Sequence, residues 1–462
     1  MKQTFNMKEK LKTFIYILGP ILITQITMNL MSFFDVIMTG RFSSAHLAGI
    51  AIGTSFWIPL FTGLNGLFSA ITPIVAQLVG SKNTKEIPSY IYQGLFIGIK
   101  LTIVIVVFGY FFLEPILNRM GLESEVAYVA KYYLVGLSFG IFAALFYHVL
   151  RAFIDGLGKT RVSMAVMLLS LPINISLNYI LIYGKLGFPA LGGVGAGIAT
   201  GATYWIIMLI SLWFTIRWQP FRLFRLFRSL PTFHYQKWKE IIIIGTPIGL
   251  SIFMEISIFS AVTLFMSEFG TAVIAGHQAA MSVANLLYMI PMSFAMALTI
   301  LVGFEVGARR LKDARAYSYL GIGFGLGLIF VISVFVFIFR EPIATIYSED
   351  PEVITLTIQF LLFALFFQIS DAFQAPIQGI LRGYKDVNVA MMVSLASYWL
   401  IGLPVGFLLA KFTGMGPFGY WLGLIIGLAL GAVMLTFRLF FIQRRKYNER
   451  EEEEVLLKAH NI

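Results

Sequence analysis

Cysteine is absent from the 462 residues, which excludes a disulfide framework and any thiolate metal site and leaves the redox compartment unread. Charge is scarce. Asp, Glu, Lys and Arg make up 12% of the chain against 58% hydrophobic residues, where a soluble protein carries about 25% charge. With a mean hydropathy of +0.84, only an apolar solvent tolerates this balance, so an all-α polytopic membrane protein is expected. Two enzymatic signatures are missing too: there is no GxxxxGKS/T, and no HxxH or HExxH spacing among the five histidines. The chain is therefore read as a non-enzyme with no catalytic residues and no covalent cofactor, and ATP is not its energy source. An ion gradient remains. One charge moved through 100 mV supplies about 2.3 kcal/mol, enough for more than tenfold accumulation.

Apolar runs long enough to span recur about twelve times. They lie at 13–38, 47–79, 89–113, 127–150, 162–184 and 191–216, then at 240–266, 272–306, 317–339, 353–380, 388–412 and 415–442. The second and eighth exceed the roughly 20 residues a span needs, and so are expected to tilt or to extend into water. Of the 34 basic residues, Arg41, Arg119, Lys131, Lys185, Arg340 and Lys411 fall on one set of loops and Lys100 within a span. The remaining 27 occupy the termini and the alternate loops, so both termini are expected in the cytoplasm of a cell (inner/plasma) membrane protein. The start of the chain, with Lys2, Lys8, Lys10 and Lys12 and no small-residue cleavage site, reads as a cytoplasmic amphipathic lead-in, not as a removed signal peptide.

The division that follows is a cytoplasmic segment 1–12, an N-lobe 13–216, a cytoplasmic linker 217–239, a C-lobe 240–442 and a cytoplasmic tail 443–462. The linker interleaves Arg222, Arg225 and Arg228 with Phe221, Phe224 and Phe227. Lying between spans, it reads as a headgroup-hugging connection, and no nucleic acid is expected as a partner. The tail turns from basic (Arg444, Arg445, Lys446) to acidic (Glu449, Glu451 to Glu454) and reads as a solvated end without chemistry.

An internal repeat organises the rest. Phe42-Ser-Ser-Ala-His-Leu-Ala-Gly49 returns as Phe269-Gly-Thr-Ala-Val-Ile-Ala-Gly276, 227 residues later, and Val79-Gly80-Ser-Lys82 as Val306-Gly307-Ala-Arg309 at the same shift. Leu150-Arg151-Ala-Phe153 returns as Leu381-Arg382-Gly-Tyr384, 231 on. A duplicated six-helix unit with both copies facing the same way is expected, its pseudo-two-fold axis along the membrane normal and a cavity between the copies. Glycine strings such as Gly423, Gly427 and Gly431 read as helix-packing positions.

Three acids interrupt the apolar runs: Asp35, Glu255 and Asp371. A carboxylate near the bilayer centre costs at least about 2.5–3.5 kcal/mol, which marks a cation, proton or substrate path. On the first span Gln25, Asn29, Ser32 and Asp35 share one arc; on the tenth Gln368, Asp371, Gln374 and Gln378 do the same. Asn174 and Asn178 share a face of the fifth, and the sixth offers Thr200 one turn beyond the small Ala196. This hard-oxygen set suits an alkali cation, or a carboxylate that exchanges a proton. The acids do not superpose under the repeat, which sets Met28, Gly140 and Val262 opposite them. Two distinct cation-responsive sites are therefore expected. Lys100 reads as a snorkelling residue, and His148 and His277 as local hydrogen-bonding groups.

The chain resembles the multidrug and toxic compound extrusion (MATE) transporters, NorM-like branch, over essentially its whole length. The resemblance rests on Phe34-Asp35-Val-Ile-Met-Thr-Gly40-Arg41, Pro172-Ile-Asn174 with Asn178-Tyr179, Gly192-Gly-Val-Gly-Ala196-Gly-Ile-Ala-Thr200, Ala275-Gly-His277-Gln278 and Gln378-Gly-Ile-Leu-Arg382-Gly. It implies twelve helices in two six-helix bundles, V-shaped around a central cavity, exporting organic cations in exchange for Na⁺ or H⁺ by a rocker-switch. It also implies that Asp35, with Asn174, Asn178, Ala196 and Thr200, forms an N-lobe coupling site. Glu255 and Asp371 would form a C-lobe cation site, with Gln278 and Tyr288 as further cavity positions. Na⁺ would bind at Glu255 and Asp371, or at Asp35, Asn174, Asn178 and Thr200. Asn178 stands where some relatives carry Asp, so proton relays built on a second N-lobe acid do not carry over.

Small cationic, aromatic or amphipathic substrates, membrane lipid and a monomeric state are the expected partners and assembly. Two other readings compete. A lipid-linked precursor flippase of the same superfamily would commonly have about fourteen spans and a cationic cavity. A major-facilitator carrier would show an acidic–basic signature between its second and third helices, which Gly80-Ser-Lys-Asn-Thr-Lys85 lacks.

Overall fold

The computed structural model describes residues 3–227 and 232–460, with side chains up to Glu452. Lys2, Arg228 and the side chains of Glu453 and Glu454 lie outside the described residues. Helices dominate, because a chain this apolar must satisfy its backbone N–H and C=O groups internally. Among the described residues twelve helices are long and apolar enough to cross a membrane, and are numbered α1 to α12. They are Met7–Gly40, Ser44–Gly80, Thr84–Arg119, Ser124–Gly156, Thr160–Tyr183, Gly193–Arg217, Tyr235–Phe269, Thr271–Gly307, Leu311–Ile338, Pro351–Gly383, Asn388–Phe412 and Pro417–Glu452. The protein is a multi-pass membrane protein.

Several helices outrun the apolar runs. Helix α1 starts at Met7, because Lys8, Lys10 and Lys12 extend a helix without interrupting its hydrogen bonds. The last helix continues unbroken to His460. The long second run is a helix to Phe68 and another from Ile71, joined at Ser69 and Ala70. Helix α11 contains a π-helical turn at Ala396–Gly402, a widening that sequence periodicity does not encode.

The chain forms two compact units. The N-unit comprises Gly19–Leu78 and Asn83–Gly249; the C-unit comprises Met1–Leu18, Val79–Lys82 and Leu250–Ile462. Three helices therefore change unit along their length: α2 only at its last two residues, Val79 and Gly80, but α1 after Leu18 and α7 after Gly249, well inside each helix. Each of the latter two carries a proline close to the change, Pro20 and Pro247, which are 227 residues apart. Proline removes an intrahelical hydrogen bond and bends the helix there.

In the N-unit, α4 and α6 lie nearly in contact along their backbones. A Cβ on Gly140 would stand 2.4 Å from Gly201 Cα, so only glycine permits the approach that seats Thr200 beside α1 and α5. In the C-unit, α10 to α12 and the second part of α7 enclose a core containing Trp421, Tyr398, Tyr420 and Phe360.

Candidate functional site

Three helices of the N-unit close a ring of hydrogen bonds around Asp35. Asn178 Nδ2 donates to Asp35 Oδ1 at 2.5 Å and to Asn174 Oδ1 at 3.0 Å. Asn174 Nδ2 donates to Thr200 Oγ1 at 3.4 Å, and Thr200 Oγ1 donates to Asp35 Oδ2 at 3.2 Å. Both asparagines are fully buried. Their i, i+4 spacing on α5 turns both amides toward α1, where no aqueous competitor weakens the bonds. One acceptor in the ring, Asn178 Oδ1, is buried and meets no hydrogen-bond donor among the described residues.

The polar stripe expected on α1 divides. Gln25 is half-buried, whereas Asn29 and Ser32 are exposed, and Asn29 Nδ2 turns back to the carbonyl of Gln25 at 3.1 Å. Of that stripe, Asp35 is the residue that bonds to Asn178 on α5 and Thr200 on α6. A common helical arc places side chains on one side without fixing what they touch.

The C-unit site is built differently. Glu255 on α7 and Asp371 on α10 are both buried, and the charge of Glu255 acts on Asp371. Along α10, Gln368 Nε2 donates to the Ala284 carbonyl at 2.8 Å, which ties α10 to α8. Gln374 Nε2 donates to Tyr398 Oη at 3.3 Å and Gln378 Nε2 to Ser394 Oγ at 3.4 Å, both on α11. Gln368 and Gln374 thus donate to neighbouring helices while their oxygens remain. Gln368 Oε1, Asp371 Oδ2, Gln374 Oε1 and Ser397 Oγ are all buried without a hydrogen-bond partner among the described residues.

Ser397 comes from the π-helical turn. Across from it, a Cβ on Gly431 of α12 would stand 2.4 Å from Ser397 Oγ and 2.8 Å from Gln374 Oε1. Glycine at 431 thus leaves room for two unpartnered oxygens to face one another. The result is an oxygen-rich, donor-poor interior, which favours a positive charge.

The two further cavity positions part company: the side chain of Tyr288 hydrogen-bonds with Glu255. Gln278 is exposed, and Tyr288 is half-buried with its hydroxyl 3.8 Å from Met292 Sδ. Sequence reasoning missed Ser394, Ser397 and Tyr398, whose signal is the repeat of small and hydroxyl residues on the α10-facing side of α11. It also passed over Arg382, which is buried and whose Nη2 lies 3.4 Å from Gln378 Oε1. Its positive field reaches Glu255.

His277 is a local hydrogen-bonding group, with Nε2 3.0 Å from Thr263 Oγ1 and Nδ1 accepting from Trp421 Nε1 at 3.1 Å. His148 packs edge-on against Phe61. Among the described residues no three His, Cys, Asp or Glu side chains converge as metal ligands. Lys100 lies over the rings of Trp238 and Phe233, at 5.1 and 5.8 Å from their centroids. This arrangement fits a snorkelling side chain whose charge is carried to an aromatic rim.

The MatE family model matches residues 20–180 and again 247–408, two segments whose starts are 227 residues apart. A probable multidrug resistance protein NorM of Oceanobacillus iheyensis is 55% identical over 96% of this chain and 100% of its own length. The corresponding protein of Bacillus subtilis is 51% identical over 98% and 100%. Among solved structures, the eukaryotic MATE transporter AtDTX14 superposes with a TM-score of 0.85 at 25% identity, over 96% of this chain and 99% of that one. An outward-facing multidrug resistance MATE family transporter of the MOP superfamily gives 0.86 over 97% and 100%, at 19% identity, and so shares the fold. The chain belongs to the MatE family.

Proposed function

We propose that the protein is a secondary antiporter of the plasma membrane, exporting small cationic, aromatic or amphipathic compounds in exchange for Na⁺ or H⁺ by alternating access. The observation that carries this reading is the set of partnerless buried oxygens at Gln368, Asp371, Gln374 and Ser397, in the unit that also holds Glu255. In a membrane interior such oxygens call for a cation or a proton, and two neighbouring carboxylates repel until one arrives. Arrival of the coupling ion weakens the hold on a cationic substrate, and the exchange follows.

The ring around Asp35 supports a complementary role. Asp35 accepts at both oxygens, as a carboxylate does. A half-turn of the Asn178 amide would present its partnerless Oδ1 to a protonated Asp35, so the ring has a partner ready for either protonation state. The substrate class follows the relatives' description as multidrug resistance proteins. It also suits a chain with 44 Phe, 20 Tyr, 7 Trp and 19 Met, whose soft, aromatic surfaces accept varied flat cations.

The deciding measurement is ethidium efflux from proteoliposomes under Na⁺ and pH gradients imposed separately. Efflux driven by at least one gradient is expected. Folded Asp371→Asn and Glu255→Gln variants that export as fast as the unmodified chain would overturn the reading.

A further inference from the structure

The 227-residue repeat relates two ion pairs that lie far along the chain from the acids. Lys10, in the first turn of α1, places Nζ 2.7 Å from Asp313 Oδ1 in the first turn of α9, and 5.4 Å from the ring centroid of Tyr317. The repeat equivalents of these residues are Lys237, Glu86 and Tyr90. Lys237, in the first turn of α7, forms an ion pair with Glu86 at the start of α3, and its Nζ lies 5.4 Å from the ring centroid of Tyr90. A lysine, a carboxylate and a tyrosine thus meet twice with halves exchanged: each lysine grips a carboxylate and a tyrosine contributed by the other half of the sequence.

The physical chemistry of each set is coherent. A carboxylate in the first turn of a helix is favoured by the helix dipole. The ammonium neutralises it and lies within cation–π range of the tyrosine. Neighbours secure both sets. Lys10 Nζ also donates to the Thr4 carbonyl at 3.0 Å, and Thr4 Oγ1 lies 3.1 Å from Tyr317 Oη. Tyr90 Oη donates to Glu240 Oε2 at 2.5 Å. Apolar residues then continue the attachment in register: Phe14 and Ile17 follow Lys10, and their repeat equivalents Ile241 and Ile244 follow Lys237, all buried. Phe14 packs on Phe294 and Phe324 at 5.4 and 6.3 Å.

These two helices are the ones that both change unit and carry an acid. Helix α1 is held in the C-unit up to Leu18 and presents Asp35 in the N-unit; α7 is held in the N-unit up to Gly249 and presents Glu255 in the C-unit. We propose that Lys10 with Asp313 and Tyr317, and Lys237 with Glu86 and Tyr90, are matched clamps. They are positioning residues that stay closed throughout transport, so that a change at either acid is transmitted to the unit that does not contain it. With its far end unfastened, an acid-bearing helix absorbs the displacement in its own first turns. Fastened, it passes the displacement on. This proposal rests on the coupling role proposed above for Asp35 and Glu255.

The absence of native cysteine allows a direct test in proteoliposomes holding the full chain. Lys10→Cys with Asp313→Cys, and Lys237→Cys with Glu86→Cys, are assayed for ethidium export before and after bridging with a short bifunctional thiol reagent. Loosening either helix end is expected to slow export by about tenfold or more, since misplacement far from a site suffices for that. Ethidium affinity should stay within about twofold in the same variants, because no clamp residue belongs to the proposed binding sites. Bridging should restore the rate. Lys10→Met, which keeps most of the apolar lysine stem, serves as a gentler second variant and should slow export in the same way. Unbridged pairs that export at the unmodified rate would overturn the clamp, as would bridging that stops export. An unmodified chain that exports no ethidium under either gradient would remove the proposed function instead, which separates the two failures.

Discussion

Asp386 is held by Arg438 through two hydrogen bonds, at 2.7 and 2.9 Å from Nε and Nη2, whereas its repeat equivalent Asp155 is left to Arg151, 3.5 Å away on its own helix. The duplicated halves therefore spend the same Arg-x-x-x-Asp motif differently. In the N-unit the arginine and the aspartate neutralise one another, and Ser163 donates to Asp155 at 2.6 Å. In the C-unit α12 supplies the cation for the aspartate, and Arg382 turns toward Gln378.

Arg438→Met should destabilise the protein by about 1–3 kcal/mol, because Asp386 is left largely buried without its cation. Adding Asp386→Asn should recover at least half of that loss. Thermal unfolding in detergent reports both, and a double variant no more stable than Arg438→Met alone would count against this account.

The ring around Asp35 should behave as one unit. Asn174→Ala and Thr200→Val each remove a link, at a cost of about 1–3 kcal/mol in stability. Together they should cost less than the sum by about 0.5 kcal/mol or more, since the second change breaks a ring that is already open. Strict additivity in a double-mutant cycle would show that the four groups act separately.

Gln374→Leu keeps the volume near Gly431 while deleting one partnerless oxygen. Its expected effect is on the coupling ion. The Na⁺ or H⁺ concentration for half-maximal efflux should rise about tenfold, equivalent to about 1.4 kcal/mol, with unfolding little changed. An unaltered ion dependence would place the ion elsewhere.

Gly431→Ala and Gly323→Ala make a matched comparison. The first puts a methyl group 2.4 Å from Ser397 Oγ, while the second meets nothing within 4 Å. Overpacking should cost about 1–3 kcal/mol at 431. At 323 the exchange should be neutral or stabilising by up to about 1 kcal/mol. Equal unfolding temperatures for the two would contradict the packing argument.

Lys100→Met should leave export within about twofold, because a snorkelling lysine mainly covers apolar surface. A loss of export comparable with that of Asp371→Asn would instead make Lys100 part of the transport path.

Much of this arrangement is legible in the sequence because the bilayer imposes it. A span must be long and apolar, so the twelve helices stand out, and an acid within one stands out further. The i, i+4 spacing of Asn174 and Asn178 sets both on one face, and Thr200 arrives through glycines that let α6 approach α4. What sequence did not reveal depends on which neighbour a face meets. Gln25, Asn29 and Ser32 share an arc with Asp35, yet Asn29 and Ser32 are exposed while Asp35 bonds to Asn178 and Thr200. Gln278 follows a buried histidine and is itself exposed. The π-helical turn that presents Ser397 leaves the apolar pattern of α11 nearly unchanged. The repeat was readable, but not that α1 and α7 change unit along their length, since periodicity within a helix carries no information about its partner.

That exchange has a consequence for synthesis. The buried face of α1 before Pro20, with Phe14 and Ile17, closes against residues near Phe294 and Phe324, which leave the ribosome some 300 residues later. At about 5–20 residues per second, the first turns of the protein wait roughly 15–60 s for their neighbours. Neither half of the gene therefore encodes a finished folding unit. Fragments divided within the linker should assemble only when made together, each supplying the strap that the other lacks.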